Sequence, residues 1–198
     1  TRRGFLLMSN VAGLGLAACA AGKPYSGGMR SSRESLTFGA ITDLHYADRE
    51  PWTVRYYRDS LAKLEECVNV MNRERPAFLI QLGDIIDKAE KEIETGYLRA
   101  INGMFRKFRG PRHYVLGNHD VATFSKDEFL SLSSAPGNIY RFDAGAYRCI
   151  ILDGNLNPDG SDYRAGNFNW TEAYIHSPQR EWLAEELAQY LAPGLGVK

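Results

Sequence analysis

From residue 36 onward, short apolar runs alternate with amphipathic stretches. Leu36-Thr37-Phe38-Gly39-Ala40-Ile41-Thr42 carries apolar and β-branched side chains without a helical period, which predicts a strand. Val54, Tyr57, Leu61, Leu64, Val68 and Met71 then recur at steps of three and four, one face of a helix. Pro76 ends that helix, and Ala77-Phe78-Leu79-Ile80-Gln81-Leu82 reads as a second, buried strand. Ile93, Tyr97, Ile101, Met104, Phe105 and Phe108 predict a second helix, and His113-Tyr114-Val115-Leu116 a third strand. This β-α-β-α-β order describes a layered α/β domain. Beyond it the pattern predicts a short helix over 126–132 and two strands, Ile139–Phe142 and Tyr147–Leu152, joined as a hairpin through Asp143-Ala144-Gly145-Ala146. Ser177 as N-cap and Pro178 at the first helical position open a last helix that runs to about Leu191.

Residues 1–35 stand outside this pattern. The first residue is Thr1, so the true start is expected to lie upstream. Arg2-Arg3, the apolar Phe5-Leu6-Leu7 and a Gly/Ala-rich stretch up to Cys19 follow in the order of a secretory signal. The paired Arg followed by Phe-Leu resembles a twin-arginine export signal, and Leu16-Ala17-Ala18-Cys19 resembles a bacterial lipobox, whose Cys carries the lipid. The alternative is a buried N-terminal helix, which its glycines disfavour by about 1 kcal/mol each. The expected organisation is a signal peptide over 1–18, a Gly/Ser-rich flexible tether over 19–35 and one folded domain over 36–198. Such a protein is exported to the periplasmic side of the cell envelope, and its only membrane contact is a lipid anchor at Cys19.

Composition narrows the function classes. The chain has 198 residues, 44% of them hydrophobic and 24% charged, which fits one globular domain and excludes a disordered or collagen-like chain. Basic and acidic side chains number 24 each, so no excess of positive charge exists to hold nucleic acid. Three Cys make no disulfide framework, and Cys67 and Cys149 read as small core residues. No apolar run is long enough for a permanent transmembrane helix.

The chemistry sits after the strands. Strand one runs into Asp43-Leu44-His45, strand two into Gly83-Asp84-Ile85-Ile86-Asp87, and strand three into Gly117-Asn118-His119-Asp120. Ligands of open α/β sheets bind outside the carboxyl ends of the strands, so the three clusters share one rim. Carboxylate, imidazole and amide oxygen are ligands for hard or borderline metals. Asp43 and His45 are two apart, so on an extended segment both side chains face one ion. Gly83 permits a sharp turn that leaves room for Asp84 to reach two ions, and Gly117 does the same for Asn118 and His119.

The succession D-x-H, G-D-x-x-D and G-N-H-D, each after a strand, resembles the metallophosphoesterase (calcineurin-like) superfamily over about residues 36–191. The resemblance implies a layered β-sheet sandwich flanked by helices, of which this chain holds the N-terminal part. It implies two divalent ions (Mn, Fe or Zn), with Asp43 and His45 on the first, Asp84 bridging both and Asn118 on the second. His119 would donate a proton to the leaving group, with Asp120 holding its ring. The implied reaction is hydrolysis of a small phosphorylated substrate by a hydroxide that two metals activate. More narrowly, Phe38–Asp43, Arg55–Leu61 and Gln81–Asp87 resemble the manganese-dependent ADP-ribose/CDP-alcohol diphosphatase subfamily. His45 departs from the Gln that members of that subfamily often carry. Nucleotide diphosphates or phosphodiesters are therefore the expected substrates. The alternatives are a phosphomonoesterase on the same fold, or a non-catalytic envelope lipoprotein that binds metal or nucleotide.

Other polar residues admit plainer readings. Asp87 is a candidate ligand but reads more simply as a cap of the second helix or a support of the rim, His113 is structural, and His176 is a loop residue. Asp153-Gly154-Asn155 lines the pocket or makes a turn, and Arg55, Tyr56, Tyr57 and Arg58 read as helix surface and core, with one of the two arginines a candidate to reach a substrate phosphate. The superfamily's later segments, a strand ending in a lone His and a G-H-x-H, have no counterpart among His45, His113, His119 and His176. The domain is accordingly expected to be incomplete at its C-terminal end, and residues 1–198 alone to hold at most one metal well and hydrolyse little.

Overall fold

The structure, a computed structural model, describes residues 17–20 and 35–191. In chain order the elements are β1 (Ala17–Ala20), β2 (Gly39–Ile41), α1 (Asp59–Glu74), β3 (Leu79–Gln81), α2 (Lys91–Phe105), β4 (Arg112–Tyr114), α3 (Lys126–Ser133), β5 (Tyr140–Ala144), β6 (Tyr147–Ile151) and α4 (Ser177–Leu191). They form two three-stranded sheets, a parallel one in the order β2-β3-β4 and an antiparallel one in the order β1-β6-β5.

Side-chain alternation along β3 and β4 builds two cores. Leu79 and Tyr114 face the helices, where Leu64 and Val68 of α1, Leu98, Ile101 and Phe105 of α2 and Phe129 of α3 cover the parallel sheet. Phe78, Ile80 and Val115 face the other way and meet Phe142, Cys149 and Ile151 of the antiparallel sheet. The parallel strands are thus buried on both faces, which is why they read as continuous apolar runs. Outside the second sheet, Glu186 of α4 pairs with Arg141 and with Arg148. The layers are helices, sheet, sheet, helix, as the family resemblance implies.

Local signals explain most boundaries. Arg75 ends α1 in the left-handed conformation, its N–H bonded to the Met71 carbonyl, and Pro76 follows. Ser125 and Glu128 form a reciprocal capping box at the start of α3. The β5–β6 hairpin pairs Ala144 with Tyr147, so its turn is Gly145-Ala146, shorter than the expected four residues, with Gly145 at φ +58°.

One expectation changes. The apolar period that begins at Val54 does not mark the start of α1, which opens at Asp59. Val54 is 86% exposed, and Tyr57 is buried but outside the helix. Trp52 and Arg55 exchange backbone hydrogen bonds and hold residues 46–58 as an irregular rim loop instead. At the other end of the chain, Ala17–Ala20 is an edge strand, with Cys19 opposite Cys149. β6 is thereby the central strand of its sheet, paired with β1 on one side and β5 on the other. The rest of the expected signal and tether, residues 1–16 and 21–34, and the tail over 192–198 lie outside the described residues. Among the described residues no helix is long and apolar enough to cross a membrane.

His113 is a core residue, as its place on a strand suggests. Its ring stacks on Phe142 at 3.3 Å between centroids and meets Phe78 edge-on at 5.4 Å. Burial among these rings pushes its pKa down to about 4. The unfolded chain therefore binds a proton here that the folded chain refuses, so this contribution to stability is complete above the ordinary histidine pKa and shrinks as pH falls toward about 4. Urea midpoints at about pH 7 and about pH 5 should fall farther apart for the native chain than for His113→Phe, which has no proton to refuse. Equal spacing in the two proteins would refute this role.

Candidate metal centre

The parallel hydrogen-bond ladder does not stop where the strands do. Asp43 N–H donates to the Gly83 carbonyl at 3.1 Å, His45 N–H to the Asp84 carbonyl at 2.9 Å and Tyr46 N–H to the Ile85 carbonyl at 3.0 Å. The loops after β2 and β3 are thereby zipped together. Asp43, His45 and Asp84 nevertheless have φ of +54°, +44° and +55°. Non-glycine residues in this left-handed region cost of order 1–3 kcal/mol each and persist only where the surroundings enforce them. Asp43 and His45 do converge, as their spacing suggests, but through left-handed backbone and not through a strand pleat.

Two glycines make the third loop fit. A Cβ on Gly83, whose φ is +106°, would lie 2.7 Å from the Gly117 backbone, and a Cβ on Gly117 would collide with Asp84 Oδ1 and N. The glycines of G-D and G-N-H-D therefore pack against each other so that the loops after β3 and β4 can touch. Gln81, read only as a strand residue, fastens the turn: its Oε1 accepts the Gly83 N–H at 2.5 Å and its Nε2 donates to the Val115 carbonyl at 3.1 Å.

His45 is the centre of the cluster. It is 4% exposed, with Nε2 at 3.5 Å from Asp43 Oδ1 and 3.8 Å from Asp84 Oδ2, and Nδ1 at 3.5 Å from Asp87 Oδ2. Among the described residues neither ring nitrogen has a hydrogen-bond partner. Burial alone would lower its pKa, but Asp43, Asp87 and Asp84 outweigh it and raise it to about 9. His45 in turn draws the Asp43 carboxyl below its ordinary range, against burial. Asp84 is raised, because burial outweighs the pull of His119 and His45. Ligand atoms of Asp43, His45 and Asp84 all lie within 4.8 Å of one another. A buried imidazole without a hydrogen-bond partner, with the Asp43 and Asp84 carboxylates on its Nε2 side and Asp87 on its Nδ1 side, fits a divalent ion of the manganese, iron or zinc type. Asn118, 7% exposed, sits between Gly117 and His119, whose N–H donates to Asp84 Oδ1 at 2.9 Å.

The two remaining acids exchange their expected roles. Asp120 was expected to hold the His119 ring. It is fully buried and instead accepts three backbone N–H groups: Asp84 and Gly117 on Oδ2 and Ile85 on Oδ1, each at 2.9 Å. Burial and the Asp84 charge push its pKa up to about 7 against the pull of those three donors. Asp87, assigned to a cap or the rim, lies between the two imidazoles, with Oδ1 at 3.3 Å from His119 Nδ1. Burial would raise the Asp87 carboxyl, but His119 and His45 more than offset it and hold it well below the usual range. The signal for Asp87 was present in the second Asp of G-D-x-x-D. Asp153 proves to be a structural tie: it takes the Lys126 ammonium at 2.6 Å and the Asn138 amide at 2.8 Å. Asn155 donates to the Leu116 carbonyl at 2.8 Å, and His176 contacts the Asn157 carbonyl through Nε2 at 2.7 Å, a loop tie.

Replacing Asp120 by Asn should leave at least one of the three N–H groups unsatisfied and cost about 1–3 kcal/mol of stability. Thermal melting and manganese titration check this, since the Asp84 loop should loosen in the same variant. An unchanged melting temperature would show that Asp120 is not the brace.

Comparison with known proteins agrees with this geometry. The family profile of calcineurin-like phosphoesterases matches residues 36–192. A manganese-dependent ADP-ribose/CDP-alcohol diphosphatase of Arabidopsis thaliana is 31% identical over 139 residues, which cover 64% of this chain and 45% of that protein. The proteins of the same name from Bos taurus and Homo sapiens are 37% and 35% identical, over 49% and 52% of this chain and 32% and 33% of their own lengths. The chain thus spans less than half the length of these relatives. A dimetal phosphatase from Danio rerio superposes with a TM-score of 0.64 at 24% identity, covering 78% of this chain and 65% of that one, and so shares the fold. All three strand-end loops, with the glycines that let them touch, fall inside the matched span, and the chain belongs to the calcineurin-like phosphoesterase family.

Proposed function

We propose that the protein is a metal-dependent hydrolase of phosphoester or diphosphate bonds that acts on nucleotide diphosphates or phosphodiesters. The observation that carries the reading is the convergence of Asp43, Asp84 and the unpartnered His45 ring beside His119, whose ring centroid is 4.6 Å from that of His45. The names of the relatives support a diphosphate substrate. The exposed Trp52 on the rim loop offers an indole face on which a nucleobase can stack.

Asp43, His45 and Asp84 would hold a first divalent ion, and Asp84 with Asn118 would reach a second. Bound ions supply positive charge to the phosphoryl oxygens and acidify water. The chain's own residues supply the rest. The His119 N–H on Asp84 Oδ1 ties the proton donor to the bridging carboxylate, so the two keep a set separation. Asp87 faces His119 Nδ1 and orients the ring, which leaves Nε2 to protonate the departing oxygen.

Protein expressed from the full-length gene should hydrolyse ADP-ribose or a phosphodiester with manganese present and lose that activity to a chelator. His119→Ala should keep its metal content and slow turnover by about 10²–10⁴-fold, the range for a lost general acid. Metal-independent turnover, or normal rates in that variant on a poor leaving group, would refute the assignment.

Export and lipid anchoring belong to the same reading and rest on Arg2-Arg3 and Leu16-Ala17-Ala18-Cys19. Cys19→Ser should move the full-length protein from the membrane fraction to the soluble one, because lipoprotein anchoring depends on the acyl chains. A soluble unmutated protein would exclude the anchor.

A further inference from the structure

The loop between β2 and α1 holds three arginines that are engaged in different ways. Arg58 is committed: Nε lies 2.5 Å from Asp48 Oδ1 and Nη1 lies 2.6 Å from Glu50 Oε1. Arg49 and Arg55 converge on one atom, Asp87 Oδ2, through Nη2 at 3.1 Å and Nη1 at 3.6 Å. The same carboxylate faces His45 at 3.5 Å and His119 at 3.3 Å, and its Oδ1 also accepts the Lys88 N–H at 2.7 Å. One carboxylate oxygen therefore faces two guanidinium groups, one more than its single charge neutralises. Removing one guanidinium leaves Asp87 well paired.

Arg49 is the one placed to leave. Its guanidinium carbon lies 3.9 Å from the centroid of the Tyr57 ring, and Tyr57 is 1% exposed while the Arg49 side chain is 44% exposed. A buried ring is a fixed platform: it holds the guanidinium plane while the free edge of the fork turns to solvent. The head group meets the site through Asp87, whose Oδ2 lies 3.1 Å from Arg49 Nη2 and 3.5 Å from His45 Nδ1. A second phosphate attached to one at the ion ligands would extend toward that side of the rim. A planar fork with two parallel N–H groups is the side chain best matched to phosphate oxygens.

We propose that Arg49 is a specificity-determining residue that clamps the second phosphate of a diphosphate substrate, turning on the Tyr57 platform from Asp87 while Arg55 keeps Asp87 paired. This rests on the hydrolase reading of the same site. It explains how one rim can prefer a diphosphate over a single phosphate ester that meets the same ligands.

The test compares α,β-methylene-ADP with AMP, which differ by one phosphonate-linked phosphate, in equilibrium dialysis against the full-length protein at fixed manganese. Arg49→Gln should weaken the methylene-ADP complex about tenfold, the loss of one bidentate charged contact, and the AMP complex by less than about threefold. Arg49→Lys, which keeps the charge but not the fork, should fall between, and it decides the matter if the Gln variant fails to fold. Lys107→Gln, which removes a surface cation 4.0 Å from Glu65, controls for net charge and should change neither affinity. Equal weakening of both nucleotides would show that Arg49 acts only through Asp87 and would overturn the clamp, as would unchanged binding of methylene-ADP. The clamp and the hydrolase reading fail separately. Arg49-dependent binding without diphosphate hydrolysis overturns only the hydrolase reading, and diphosphate hydrolysis indifferent to Arg49 overturns only the clamp.

Discussion

One buried carboxylate determines where the metal-facing loops stand. Asp120 gathers the N–H groups of Asp84, Ile85 and Gly117, which belong to two loops that no strand pairing joins at that height. Each donor would otherwise be a buried polar group without a partner. A carboxylate has four lone-pair sites, so a single side chain can satisfy all three and draw the loops together. An amide or a hydroxyl in its place cannot.

The brace allows the strain elsewhere. Asp43, His45 and Asp84 hold left-handed backbone, a cost of order 1–3 kcal/mol apiece. That cost is met by the ladder that continues past β2 and β3, by the bond from Gln81 to Gly83, and by the helix-side core beneath, where Ile85 and Ile86 are buried. Two of these loop residues thus anchor the same turn whose Asp84 faces the site. Ligand placement and core packing are one structure, and the side chains are held in position by the protein itself.

Much of this was legible in the sequence because residue type and position agree. Apolar runs without a helical period mark β2, β3 and β4, and an acid, an imidazole or a glycine pair immediately after them can be placed on a rim without coordinates. Three things were not legible, each for a physical reason. Tyr57 continues the α1 period by coincidence, since its burial comes from the rim loop and the stacked Arg49. The Ala-rich β1 carries no alternation that would mark a strand, and only the open edge of β6 gives it one. The roles of Asp87 and Asp120 depend on the path of the backbone. Adjacent side chains in a turn diverge, so His119 and Asp120 part company, and the ring is met by an acid arriving from another loop.

That exchange has a consequence for charge. An acid that accepts three N–H groups is occupied, and it cannot also answer changes at the imidazole beside it. Asp87 is different, because two of its partners are arginines that can move, each at least a third exposed. The site therefore separates a fixed carboxylate that shapes the backbone from an adaptable one that balances charge. Ions at His45 would add positive charge next to Asp87, and a phosphorylated substrate would bring negative charge to the same rim. A carboxylate that faces two movable guanidinium groups can release one to meet that charge while the other keeps it paired. The rigidity supplied by Asp120 and the charge reserve held around Asp87 are thus complementary: the first keeps the ligands still, and the second lets the rim respond to what binds there.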